Sequence, residues 1–109
     1  WHNECKYPIP LGLNVVSRSL DLEIQIEISK MIKQSISYAL SNTEEALDYA
    51  MEFGRGISRD IAKKFIFMYV NEDTLDLNYR GINGLKFMYT SAFTKGLIEK
   101  NIELDIILT

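Results

Sequence analysis

His2 is the only histidine in the chain, and an imidazole is the usual general base near neutral pH. It stands in the polar run His2-Asn3-Glu4, the setting of an exposed side chain rather than of a base. Cys5 is the single cysteine, with Lys6 beside it, and a neighbouring cation favours the reactive thiolate. No other residue near it in sequence supports a nucleophile. Glu72, Asp73 and Asp76 lie close together, and clustered carboxylates can bind Ca²⁺ or Mg²⁺. The stretch lacks the glycine and ligand spacing of an EF-hand, so it reads as a solvated connection with helix-capping carboxylates. Gly54-Arg55-Gly56 is too short for a phosphate loop and reads as a turn between helices. The aromatic residues Phe65, Phe67, Tyr69, Phe87, Tyr89 and Phe93 have no basic stripe interleaved, which points to core rather than to a stacking platform.

Pro10-Leu11-Gly12 is the one stretch with the makings of a binding wall. A proline-fixed approach, an apolar residue and a glycine without a side chain let the backbone come close to a ligand. A tight entry into a strand asks for the same residues.

Several partner classes are excluded by composition. Lys and Arg number 12 against 15 Asp and Glu, for a net charge of -3, so there is no electrostatic footprint for nucleic acid. No apolar run reaches the ~18 residues of a membrane span, and the first residues do not form a secretory signal. One cysteine closes no intrachain disulfide, and no Cys or His spacing marks a zinc site, which fits a reducing, cytoplasmic compartment without metal or cofactor. At 109 residues and 47% hydrophobic, the chain has the size and composition of one ordered domain or part of one. It begins with Trp rather than Met, from which a chain processed or cut from something longer is expected.

Four helices and one or two short strands are predicted around those residues. Both prolines fall in Trp1–Pro10, an irregular lead-in expected to dock through Trp1, Tyr7 and Ile9. Leu11 to Ser17 is short, β-branched and bounded by Pro10 and Ser17-Arg18-Ser19, the pattern of a buried strand. Asp21 is placed to cap a long helix whose apolar positions Ile24, Ile28, Met31, Ile32, Ile36, Ala39 and Leu40 recur at steps of three and four, ending near Leu40. Asn42 with Glu45 matches a capping pattern for a second helix through Ala46, Leu47, Ala50 and Met51, stopped by left-handed Gly54 and Gly56. Ser58 opens a third, with Ile61, Phe65, Ile66 and Tyr69 on its apolar face, and residues 70–77 form a connection. Asn78 caps a fourth, with Ile82, Leu85, Met88, Tyr89 and Ala92 buried and Gly96 at its end. The tail 102–108 starts by alternating apolar and acidic residues, as a final strand would. A lone strand leaves its backbone groups without partners, so the missing strands are expected upstream. Residues 1–19 are then lead-in and strand of one lobe, and residues 20–109 a helical region returning to another.

Three stretches together resemble one family. Trp1 through Gly12, with Tyr7-Pro8-Ile9-Pro10 and Pro10-Leu11-Gly12, looks like the segment entering the second-lobe strand of the 1,4-dihydroxy-6-naphthoate synthases of the futalosine route to menaquinone. Ser35-Ile36-Ser37-Tyr38-Ala39-Leu40, followed by Glu44-Glu45-Ala46-Leu47-Asp48-Tyr49-Ala50, resembles that family's S-x-x-Y-A-L and E-E-A-L-x-Y helix pair. Residues Met68 to Leu77 are similar to its Y-V-N-x-x-T-x-D-L signature, with Asn78 where that family usually has glycine.

The resemblance implies a periplasmic-binding-protein-like fold of two α/β lobes with the substrate in the cleft between them. It implies a cytoplasmic lyase that converts cyclic dehypoxanthinylfutalosine to 1,4-dihydroxy-6-naphthoate by proton abstraction, without a metal. The histidine proposed as base in the family lies upstream of the segment that this chain resembles, and His2 does not match its motif. No catalytic residue is therefore expected in the chain, and the substrate-binding contribution is Pro10, Leu11 and Gly12. Chorismate dehydratase, the sister family, shares the fold; a transporter's solute-binding protein or a free-standing helical interaction module are the other readings. Helix faces too apolar for one small bundle to bury lead us to expect self-association of the chain on its own.

Overall fold

The structure is a computed structural model that describes all residues, Trp1–Thr109. It contains five helices and no strand: α1 (Leu22–Ser41), α2 (Thr43–Met51), α3 (Arg59–Tyr69), α4 (Glu72–Leu75) and α5 (Tyr79–Thr94). The chain divides into two compact units, one of Trp1–Gln25 with Leu77–Thr109 and the other of Ile26–Asp76.

The predicted strands at 11–17 and 102–108 are absent. A strand is defined by its ladder, and neither segment has a backbone partner. The Arg18 guanidinium reaches the Asp105 carboxylate at 3.4 Å, but this contact is between side chains and builds no ladder. β-branched composition alone does not create a sheet.

The four predicted helices form within a residue or two of their expected ends, each directly after the expected cap residue Asp21, Asn42, Ser58 or Asn78. The Ser58 hydroxyl accepts from the Ile61 amide at 3.4 Å. Asn78 Oδ1 accepts from Arg80 N at 2.9 Å and Gly81 N at 3.3 Å. That capping opens the last of the predicted helices. Asn42 occupies the N-cap position of α2, but its side chain makes no cap bond there. Its Nδ2 donates backwards to the Tyr38 carbonyl at 2.9 Å, and Glu45 accepts instead from the Tyr38 hydroxyl at 2.9 Å. The capping box is replaced by a clasp between the end of α1 and the start of α2.

Between α2 and α3 the left-handed residues are Arg55 and Gly56, not Gly54. At the end of α5, Gly96 takes φ 70, and Leu97 N closes back to Ala92 O at 2.9 Å, the i to i−5 bond of a Schellman ending. The connection 70–77 holds the unpredicted helix α4. Asn71 Oδ1 accepts from Asp73 N at 3.0 Å, and Thr74 Oγ1 accepts from Asn71 N at 3.3 Å. Those two bonds form a reciprocal capping arrangement within four residues.

Only Cys5, Leu47, Ala62 and Leu85 are fully buried among the apolar side chains. In the Ile26–Asp76 unit α2 packs on α3, with Leu47 and Ala62 at the contact and a small apolar cavity of about 40 Å³ bordered by Leu40, Ala46, Leu47, Ile66 and Val70. The expected apolar face of α3 is rotated. Ala62 is buried, with Ile66 and Phe67 half-buried, whereas Ile61, Phe65 and Tyr69 face solvent. Ile24, Met31 and Ile32 of α1 are likewise exposed. The periodicity located a stripe correctly in type but did not say which part of it finds a partner.

Candidate functional site

The first unit positions the Pro10-Leu11-Gly12 turn through α5. A turn at residues 1–5, with Glu4 N and Cys5 N both donating to the Trp1 carbonyl at 3.0 and 2.8 Å, buries Cys5. Trp1 then spans two segments. Its indole Nε1 donates to the Tyr7 carbonyl at 2.8 Å, and its ring meets Phe87 of α5 edge to face, with centroids 5.4 Å apart. That geometry is favoured by the ring quadrupoles. Helix α5 offers the lead-in a place to lie close. A Cβ built on Gly84 would stand 2.5 Å from the Pro8 carbonyl oxygen, so Pro8 rests where any larger residue would project.

Beyond Pro10 the wall is open. Leu11 is 65% exposed, and nothing lies within 4 Å of a Cβ added to Gly12, which also keeps an ordinary φ. Neither backbone strain nor crowding within this chain demands glycine at position 12. No side chain of the turn carries a titratable group, so its chemistry is backbone hydrogen bonding and apolar contact.

The other residues weighed in the sequence are occupied or out of place. His2 is exposed and Cys5 is buried, so this thiol does not face an incoming substrate. Glu72 and Asp73 form the first turn of α4, and Asp76 lies 3.9 Å from Lys33. No group of three His, Cys, Asp or Glu is arranged to hold a metal ion. Of the aromatic residues expected in the core, Phe65, Tyr69 and Phe93 are exposed, while Phe67, Phe87 and Tyr89 are half-buried. Phe65 and Tyr69 pair with each other at 5.0 Å on the surface of α3.

The strongest electrostatic feature lies in the second unit and joins α2 to α3. Arg59 reaches Glu44 at 2.9 Å and Asp48, and Lys63 reaches Glu44 at 2.6 Å. The Lys63 ammonium, then the Arg59 guanidinium, hold the Glu44 carboxyl down to about 2. The hydrogen bonds that Arg59 gives to Glu44 and Asp48 in turn push its guanidinium up. A carboxylate tied this firmly to two cations is a poor proton acceptor, so the cluster is a helix-to-helix fastening rather than a general base. Tyr38 has its phenol pushed up by the hydrogen bond it gives to Glu45, which likewise disfavours the phenolate. A depression of about 390 Å³ along α5, between Lys86 and Lys95, is open and mostly apolar. The Thr94 hydroxyl at its rim is already committed to the Thr90 carbonyl at 2.8 Å.

Docking of the lead-in through Trp1 follows the sequence expectation, whereas the place of Gly84 against Pro8 was not legible in the sequence. A glycine within a helical pattern signals a close approach only once the approaching segment is known.

Five helices assembled around capped turns carry the exposed Pro10-Leu11-Gly12 turn. The chain belongs to the menaquinone biosynthesis family, whose model matches residues 1–94. Among curated proteins it is similar to the 1,4-dihydroxy-6-naphthoate synthase of Thermus thermophilus, 28% identical over 97 residues, which cover 89% of this chain and 36% of that enzyme. It is also similar to the synthase of the same name from Streptomyces coelicolor, 30% identical over 98 residues, covering 90% of this chain and 35% of that enzyme. Among solved structures it matches the crystal structure of protein AF1704 from Archaeoglobus fulgidus with a TM-score of 0.86 and 42% identity, over 90% of this chain and 37% of that one. The chain thus spans about a third of the length of the proteins it matches.

Proposed function

We propose that this chain is the C-terminal part of a cytoplasmic 1,4-dihydroxy-6-naphthoate synthase, a lyase that cleaves cyclic dehypoxanthinylfutalosine on the way to menaquinone. The observation that carries the reading is the family match over residues 1–94 together with the naphthoate synthases named above. The remainder of the enzyme then supplies the other parts of a two-lobed, periplasmic-binding-protein-like fold, including the catalytic histidine. Residues 1–19 lead into one lobe, and 20–109 return to the other. By itself the chain is inactive, because the histidine that abstracts the proton belongs to the remainder of the enzyme.

Pro10, Leu11 and Gly12 line the substrate cleft. In support, Gly12 is a glycine that the surrounding fold does not need, since a side chain there meets nothing within 4 Å. A glycine at that point leaves the backbone open to close approach by a ligand.

The test is an assay of the full-length protein with cyclic dehypoxanthinylfutalosine. Turnover to the naphthoate supports the assignment, and turnover of chorismate instead assigns the protein to the sister dehydratase. Gly12→Val is expected to abolish most of the turnover while leaving the thermal midpoint within 2 °C or so of the wild type, by the usual scale of surface substitutions. Intact turnover in a destabilised Gly12→Val protein overturns the role of the turn.

A further inference from the structure

Within the first unit, two consecutive residues of the lead-in are pinned, and both pins come from residues outside the Pro10-Leu11-Gly12 turn. The Tyr7 carbonyl is held by the Trp1 indole at 2.8 Å, and Trp1 is itself braced on Phe87. The Pro8 carbonyl lies in the gap left by Gly84, with the Tyr7 Cβ and the Pro8 carbonyl carbon 3.6 and 3.7 Å from where a Cβ would be. Gly84 is in the body of α5 without a positive φ, where alanine would favour the helix by about 1 kcal/mol. Close approach of Pro8, not backbone conformation, therefore explains the glycine. Other glycines of the chain differ: at Gly81 the crowding atom is the Leu77 Cδ1 end of a side chain, which can swing away.

Two residues beyond the pins lies the Pro10-Leu11-Gly12 turn. Pro8 and Pro10 fix their own φ and restrict the residues before them, so the segment from Tyr7 to Pro10 is stiff. Fewer dihedrals are then left to absorb a displacement of Pro8, which is passed on in part to Leu11 and Gly12.

We propose that Gly84 and Trp1 are positioning residues for the substrate, which set the depth and direction of the Pro10-Leu11-Gly12 wall through Tyr7 and Pro8. The inference rests on the assignment of that turn to the substrate cleft. Gly84 and Trp1 do not contact the reacting atoms; they act on binding through the turn. A methyl group at position 84 forces the Pro8 carbonyl outward, since a 2.5 Å approach to a backbone oxygen cannot stand. Misplacing a positioning group by about 1 Å costs up to about a hundredfold, and a shift of a fraction of that distance is expected to raise KM about tenfold.

The experiment compares four variants of the full-length protein with cyclic dehypoxanthinylfutalosine as substrate, at a temperature where each is folded by circular dichroism. Gly84→Ala and Trp1→Phe are expected to raise KM, by about tenfold and about threefold, with kcat within about twofold of the wild type. Trp1→Phe keeps an aromatic ring on the side of Phe87 while removing the N–H together with part of the indole, so it carries the test if Gly84→Ala fails to fold. Leu47→Ala, a core substitution in the other unit, is the destabilised control and is expected to leave KM unchanged. Gly12→Val tests the turn itself. If Gly12→Val impairs the enzyme but Gly84→Ala and Trp1→Phe bind substrate normally, the positioning role is overturned and the turn assignment stands. If Gly12→Val is kinetically silent, the turn assignment falls and the positioning role with it. A rise in KM for Leu47→Ala equal to that for Gly84→Ala would mean general loosening and would also overturn it.

Discussion

The Thr74 hydroxyl donates to the Tyr69 carbonyl at 2.6 Å while accepting from the Asn71 amide at 3.3 Å. One side chain thus closes the end of α3 and opens α4. The order of aromatic, amide, hydroxyl and acid in residues 69–76 is accounted for by this turn rather than by a ligand. Thr74→Val removes both bonds at nearly constant volume and is expected to lower stability by about 1 kcal/mol, as loss of a cap does. Thr74→Ser should unfold like the wild type. Equal denaturant midpoints for all three proteins would show that the turn does not depend on the hydroxyl.

The fastening of α2 to α3 should depend on acid in a defined direction. The Glu44 carboxyl is held down to about 2 by Lys63 and Arg59, from an ordinary value of 4.5. A group whose pKa is lower in the folded than in the unfolded chain stabilises fully above its unfolded value, and the contribution fades as pH falls through the folded one. The loss therefore belongs between pH 4.5 and about 2. Because the side chains are exposed, salt should weaken the effect. Thermal melts of the wild type against Glu44→Gln should differ at pH 6 and converge by pH 2 or so; a constant difference across that range would exclude the mechanism.

Burial separates two leucine-scale truncations that the sequence pattern treats alike. Leu85 is 1% exposed and Ile32 is 38% exposed. Leu85→Ala should cost ~2 to 5 kcal/mol by leaving a cavity, and Ile32→Ala clearly less, because solvent already reaches its side chain. Urea unfolding of both variants checks the ranking, and equal losses would mean that Ile32 is covered in solution.

Helix existence was readable because it is local: spacing, Ser58 and Asn78 sufficed to place α3 and α5. Helix α4 was missed because its Asn71–Thr74 arrangement makes a helix in four residues, too short for periodicity to register. The strands failed for the opposite reason. Residues 11–17 have strand composition, but pairing is a property of two segments, and nothing in one segment states whether the other is present. Gly12 could be singled out by its neighbours Pro10 and Leu11, whereas Gly84 looked like an unremarkable helix position until Pro8 was found against it. Family resemblance reached further than periodicity, since the match over residues 1–94 follows residue order.

Self-association of the chain on its own follows from what its helices leave uncovered. Ile61, Phe65, Met68 and Tyr69 are spaced at i, i+4, i+7 and i+8 along α3 and are 61%, 56%, 58% and 44% exposed. At that spacing they form one continuous stripe rather than scattered residues. Apolar side chains this large in one row are unfavourable in water, and a second copy of the same helix offers the same row in return, as a two-fold contact requires. Leu11, Leu13 and Val15 add a second uncovered segment at 65%, 47% and 89% exposure, with free backbone groups suited to pairing or exchange between copies. We expect light scattering of the isolated chain to give a mass that rises with concentration above that of the 12.6 kDa monomer. Phe65→Ser with Ile61→Lys should shift it back towards the monomer if the α3 stripe is the contact. If Val15→Pro does so instead, the contact is through the 11–17 segment. A monodisperse monomer at high concentration would show that neither surface associates.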